Sequence, residues 1–189
     1  PKKLLFLSRI HQKKGVELLL NALKKCDYEF NLVIAGSGDQ NYIAKLKRDV
    51  EHLGLTRNVS FVGYVEGEKK KQLFMNSDFF VLPTYSENFG NVIAEALSYG
   101  KPVLTTNTTP WIEIQSKMCG YICSPSVDDI LKSLITISKL SKKEYLYMQK
   151  NAFIFSKNYD VSVIAGQYLD TYRYLNGDIE LPNFIDSSS

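Results

Sequence analysis

The sequence predicts an α/β protein: a doubly wound, parallel sheet with helices on both faces. Three observations carry this. Short segments that are apolar throughout, such as Leu4-Leu5-Phe6-Leu7 and Phe79-Phe80-Val81-Leu82, recur along the chain. Strands of that kind are covered on both faces, as in parallel sheets. Between them lie stretches with apolar residues at helical spacing, and glycines and polar residues gather in several of the loops after the strands. In such sheets ligands bind beyond the carboxyl ends of the strands.

The elements follow in order. Residues 3–8 read as a strand and 15–25 as a helix with Val16, Leu19, Leu20 and Leu23 on one face. Residues 30–35 form the next strand, closed by Gly36-Ser37-Gly38. A helix over 40–53 stops at Gly54, a residue suited to a helix C-terminus. Strand 59–62, helix 68–76 and strand 79–82 come next, the last ended by Pro83. A helix over 89–99 ends at Gly100, and strands follow over 102–106 and 120–123. Helices are predicted over 128–139, 143–156 and 161–175, the last with Val161, Ile164, Ala165, Tyr168, Leu169 and Tyr172 at helical spacing. Residues 178–189 read as a flexible tail. Right-handed crossovers place the loops at 8–15, 36–39, 63–67, 84–90 and 106–111 on the ligand-binding edge.

At 189 residues the chain is long enough for one well-buried domain and short for two. A net charge of +3 does not argue for nucleic acid, and would not repel an anionic ligand or an acidic membrane surface. No apolar run approaches the roughly 20 residues that span a bilayer, and no signal peptide is visible. Cys26, Cys119 and Cys123 are an odd set without disulfide spacing and read as buried free thiols of a reducing cytosol. No cluster has metal-ligand spacing. The chain enters a strand at once, which reads as a cut at a domain boundary.

The most informative stretch is Glu87-Asn88-Phe89-Gly90-Asn91-Val92-Ile93-Ala94-Glu95. Two carboxylates flank the start of a predicted helix, and each can accept hydrogen bonds from hydroxyls. The free helix start beside Gly90 suits phosphate. Sugar, diphosphate and ribose together make a nucleotide sugar. Arg9, leaving one strand, and Lys14, opening the next helix, can converge on one diphosphate. Gly36 and Gly38 let backbone approach a ligand, but Asn41 replaces the third glycine of a dinucleotide fingerprint. Gly63 and Tyr64 end a strand where a flat base could lie, or simply form a tight turn. His11 reads as a loop histidine within reach of phosphate. The run Lys69-Lys70-Lys71 is expected to face solvent.

Together, Leu7-Ser8-Arg9 with Lys14-Gly15, Val33 to Gly38, Val59 to Tyr64, Ser77 to Thr84, the double-glutamate stretch and Gly100 to Leu104 resemble the C-terminal domain of a GT-B glycosyltransferase. The resemblance is to family 4, group 1, and covers about residues 3–175. Thr109-Pro110-Trp111 and Cys119-Gly120-Tyr121 are similar to bacterial enzymes that build polysaccharide or lipopolysaccharide. It implies a Rossmann-like domain over 1–177, one half of a GT-B fold, that binds a nucleotide diphosphate sugar as donor. Arg9 and Lys14 would hold the diphosphate, and Glu87 the transferred sugar; these three are the residues assigned to catalysis. Phe89, Gly90, Asn91 and Val92 would present backbone N–H groups, Glu95 would take both ribose hydroxyls, and Gly36, Gly38, Gly63 and Tyr64 would frame the nucleoside.

The resemblance further implies a retaining enzyme with no metal and no separate cofactor. Its acceptor would be a glycan or lipid-linked molecule and its active cleft would be completed by an N-terminal domain. Its place would be cytoplasmic, peripheral to the inner face of the membrane. The helix at 161–175 would lose its usual partner, so a homodimer of this chain is an expectation. The sequence departs from many family members at Thr108-Thr109-Pro110, where they carry a glycine pair, and this leaves the loop's sugar contacts open. A nucleotide-sugar epimerase-like domain and a non-catalytic nucleotide-binding module are the alternatives.

Overall fold

The computed structural model describes residues 2–159, with 169, 173–176, 180 and 182. Six strands form one parallel sheet: β1 (Lys2–Leu7), β2 (Phe30–Ala35), β3 (Val59–Gly63), β4 (Phe79–Leu82), β5 (Val103–Thr106) and β6 (Gly120–Cys123). Their order is β3-β2-β1-β4-β5-β6. The direction of the winding reverses between β1 and β4, which pair Leu4 with Phe79 and Leu5 with Phe80. Leu4, Leu5 and Phe6 and every residue of β4 and β5 are buried, as expected of strands covered on both faces.

The helices are α1 (Val16–Lys25), α2 (Gln40–His52), α3 (Gly67–Asn76), α4 (Asn91–Ser98), α5 (Glu113–Ser116), α6 (Val127–Lys139) and α7 (Lys142–Ser156). α1 packs on α2 and α6, and α4 packs on α7. The apolar stripe of α1 is buried at Val16, Leu19, Leu20, Ala22 and Leu23, and that of α6 at Ile130, Leu134 and Ile137. Side-chain caps set several helix starts. Asp39 accepts from the Tyr42 amide, Ser126 from that of Asp129, and Ser141 and Glu144 form a reciprocal capping box.

The predicted fold class holds, with shifts of boundary. A 3-10 turn at Gln12–Lys14 precedes α1. α4 begins at Asn91 and not at Phe89, because Gly90 takes a left-handed conformation at its N-cap. The four-residue α5 is too short to leave a periodic trace in sequence. Leu169 and Arg173, Tyr174 and Leu175 are helical; the rest of the helix expected over 161–175, and all of the tail but residues 180 and 182, lie outside the described residues.

Cys119, just before β6, is buried and Cys123, the last residue of β6, is half-buried; desolvation pushes their thiols up from 9.0 to about 12 and about 11. A raised thiol value means the folded state favours the neutral form. That stability is complete below about pH 9 and is lost as pH rises through about 11 and about 12. At pH 8 a thiol reagent is therefore expected to modify only Cys26 promptly in the folded chain. Cys119 and Cys123 should react on denaturation, and prompt modification of all three under native conditions would contradict this burial.

Candidate functional site

The site lies on the carboxyl edge of the sheet, around the loop after β1. Backbone hydrogen bonds stitch this loop to its neighbours. Ser8 N–H donates to Ala35 (3.2 Å), Ile10 N–H to Ser37 (2.8 Å), and Gly36 N–H to Gly63 (2.8 Å). This close approach explains Gly36 and Gly38. A Cβ on Gly36 would stand 1.9 Å from the Ser8 carbonyl oxygen, and one on Gly38 2.0 Å from that of Ile10. Both glycines flank the cleft, but the space they free is filled by protein backbone.

Two clefts open here and share Ser8 and Arg9. The larger, about 860 Å³, is bordered by Gly36, Gly38, Tyr64, Lys70 and Glu95. The smaller, about 640 Å³, is bordered by His11, Lys14, Glu87, Phe89, Gly90 and the start of α4 at Asn91 and Val92. The structure thus gathers the predicted site residues into two neighbouring hollows. Gly63 lies beside the larger one, ending β3 and accepting the Gly36 amide.

In the smaller cleft, Lys14 Nζ meets Glu87 Oε2 at 2.5 Å, with side chains only 18% and 16% exposed. No side chain caps α4, since its N-cap is Gly90. The helix start borders the cleft at Gly90, Asn91 and Val92, a setting that favours an anion. Phe89 borders the cleft just ahead of the helix, and its carbonyl accepts the indole N–H of Trp111. His11 Nδ1 accepts the Lys13 amide at 3.1 Å, so its ring caps the 3-10 turn that carries Lys14. In the larger cleft, Lys70 Nζ meets Glu95 Oε2 at 2.6 Å. Tyr64 is exposed and donates its hydroxyl to Glu66 at 2.9 Å, a bond that raises the phenol's proton affinity.

Three contributors were hidden in the sequence. Lys70 was expected in solvent and instead pairs with Glu95. Thr84 is fully buried; its hydroxyl reaches the carbonyls of Lys13 (2.9 Å) and Ser86 (2.8 Å). Trp111, also buried, holds Phe89. In the Thr108 loop, the Thr106 and Thr108 hydroxyls donate to the Thr84 carbonyl at 2.6 and 2.9 Å. Only the lysine run gave any hint of Lys70, and nothing in it chose Lys70 over its neighbours. Among the described residues no group of three His, Cys, Asp or Glu is arranged to hold a metal ion, and no helix is long and apolar enough to cross a membrane.

A family model described as "Glycosyl transferases group 1" matches residues 1–154. The chain is 31% identical over 178 residues to an uncharacterized glycosyltransferase of Methanocaldococcus jannaschii, covering 91% of this chain and 45% of that protein. It is 28% identical over 172 residues to the O-antigen biosynthesis glycosyltransferase WclY of Escherichia coli, covering 89% of this chain and 45% of that one. Anabaena Alr3699/HepE, solved in complex with UDP-glucose, has the same fold: TM-score 0.81, 24% identity, 91% of this chain and 48% of that chain. The chain spans about half the length of the curated relatives it matches.

Thr84→Val keeps the shape of the buried side chain and removes its hydroxyl. A loss of about 1–3 kcal/mol in stability to denaturant is expected from the Ser86 carbonyl and amide that lose their partner and from the weakened tie to Lys13. Faster hydrogen exchange at the Tyr85 amide, which donates to Lys13, should accompany it. Unchanged stability and exchange would show that Thr84 does not hold the two loops together.

Proposed function

The chain belongs to the glycosyl transferases group 1 family, and from that membership we propose that it is the donor-binding domain of an enzyme that transfers a sugar from a nucleotide diphosphate sugar. One observation carries the reading: Arg9 stands where two hollows meet, each holding a lysine–glutamate pair. On one side are Lys14, Glu87 and the uncapped start of α4. On the other are Glu95 and the exposed Tyr64 loop. A ligand with an anionic middle and hydroxyls at both ends fits that division.

In this reading the nucleoside lies in the larger cleft, with its ribose on Glu95. The diphosphate crosses at Arg9 and Lys14, and the sugar reaches Glu87 and the start of α4 at Gly90, Asn91 and Val92. These groups would favour the charge that grows on the leaving diphosphate, with the configuration of the sugar retained. An N-terminal domain would complete the cleft and present the acceptor. The Escherichia coli relative's role in O-antigen biosynthesis favours a surface glycan or its lipid-linked precursor as acceptor, met at the inner face of the cytoplasmic membrane.

Calorimetric titration with UDP, GDP and ADP tests the reading. At least one is expected to bind the isolated chain weakly. Glu95→Ala and Lys14→Ala should each weaken it by about tenfold or more, since each removes a charged hydrogen-bond partner. The isolated chain is expected to transfer no sugar. Absence of binding to all three nucleotides would overturn the proposal.

A further inference from the structure

We infer that Lys70 is the second jaw of a hydroxyl clamp, holding the vicinal hydroxyls of the donor's ribose together with Glu95. This rests on the donor-site reading above and adds to it a residue that nothing in the double-glutamate stretch indicates.

Packing imposes the pair. The fully buried Phe74 of α3 stacks on Tyr99 at the end of α4, with ring centroids 5.1 Å apart and planes within 11°. Side chains four residues apart lie on one helix face. One turn back from Phe74 is Lys70. One turn back from Tyr99 is Glu95, whose carbonyl accepts the Tyr99 amide. The stacked rings therefore bring Lys70 and Glu95 opposite one another, and their charged ends meet at 2.6 Å. A second tie fastens the same helices. The buried Lys101, just beyond α4, donates to the carbonyls of Met75 and Ser77 at the end of α3.

The pair is aimed at ligand space. Its side chains are 29% and 33% exposed, and both border the larger cleft with Ser8, Arg9 and Tyr64. The chemistry of the pair selects its ligand. A carboxylate only accepts hydrogen bonds and an ammonium only donates them. A hydroxyl does both. A hydroxyl that takes Glu95 Oε2 at about 2.7 Å shares that oxygen with Lys70 Nζ, 2.6 Å from it, and on the side toward the lysine comes within hydrogen-bond reach of both. Its oxygen can give its proton to Glu95 and accept one from Lys70. Two carboxylate oxygens and three ammonium protons suffice for two neighbouring hydroxyls.

Other parts of a nucleotide use the pair poorly. Glu95 repels a phosphate, and the pair as a whole is neutral. Both clefts share Arg9; around the Lys14–Glu87 pair the lining adds Lys13 and the start of α4 with no further carboxylate, whereas around the Lys70–Glu95 pair it adds Lys71 balanced by Glu66. That excess of positive character suits the phosphates, leaving the neutral pair for the uncharged diol.

The test compares ribonucleotides with deoxyribonucleotides on the 189-residue chain. UDP, GDP and ADP are titrated beside their 2′-deoxy counterparts into wild type, Lys70→Met and Lys70→Arg. Wild type is expected to prefer the ribonucleotide by about tenfold or more, the scale of one charged hydrogen bond. Lys70→Met should weaken the ribonucleotide by about tenfold, barely affect the deoxy form, and shrink the preference to within about threefold. Lys70→Arg, which still donates, should recover part of it. Thermal melting of the variants checks that the fold is kept. If Lys70→Met keeps the full preference, or weakens both forms equally as a lost phosphate contact would, the clamp is wrong and the donor site stands. If folded wild type binds none of the ribonucleotides, the donor-site reading falls and the clamp with it.

Discussion

The carbonyl oxygen of Lys13 joins the two halves of the sheet at their ligand-binding edge. It accepts the Tyr85 amide at 2.8 Å and lies 2.9 Å from the Thr84 hydroxyl. β1 and β4 are neighbours at the point where the winding reverses, so the chain leaves them in opposite directions and a crevice opens between. The Lys13 junction sets the width of that crevice. Gly15 sits so close to the end of β4 that a Cβ would come within 2.0 Å of the Pro83 carbonyl oxygen. Lys14, between these two contacts, is thereby delivered to Glu87. Thr106 and Thr108 extend the tie to the loop after β5. On the other flank the loop after β1 is stitched to those after β2 and β3. Arg9 belongs to the one loop common to both sets.

Glu87 in one cleft and Glu95 in the other are each paired with a lysine. A partly buried charge without a partner is costly, and the partner offsets that cost without necessarily adding stability. A ligand entering either cleft must then take over bonds that the pair makes with itself. Substituting Lys14 would remove a cation from the cleft and also release Glu87 from its counter-ion. The same reasoning separates Lys70 from an ordinary surface lysine. Its position is fixed by a buried aromatic stack one turn away, so its charge is held at the cleft and is not free to wander into solvent.

The apolar strands and the stripes of α1 and α6 were legible because burial on two faces, or on one helical face, leaves a periodic trace in sequence. Arg9, Lys14, Glu87 and Glu95 were legible as chemistry, since their types and spacing point to anions and hydroxyls. What sequence could not supply was contact between distant segments. Lys70 lies 25 residues before Glu95 in a run of three lysines, and the Phe74–Tyr99 stack that selects it is a tertiary fact. Gly36 and Gly38 were legible as special positions, but the partner that demands them is the neighbouring loop. α4 starts two residues later than its apolar pattern suggests because Gly90 turns left-handed, with φ of 81°. A left-handed glycine there and a helical one look alike in sequence.

The position of Phe89 shows how far the site depends on parts of the chain remote from the chemistry. Its ring is partly exposed beside the smaller cleft, yet it lies 5.3 Å from that of Trp111 and 6.0 Å from that of Tyr159. Trp111 is also 4.4 Å from Tyr159 and meets Phe155 of α7 edge-on. Such ring pairs add attraction beyond the area they bury, and the indole N–H fixes the Phe89 carbonyl as well. The residue just before the left-handed Gly90 is thus anchored by the loop after β5 and by the end of α7. Any rearrangement of α7 or Tyr159 would act on Phe89 first. From there it would pass through Gly90 to the amides at the start of α4. The same helix end that favours an anion is therefore tied to Tyr159 and the end of α7.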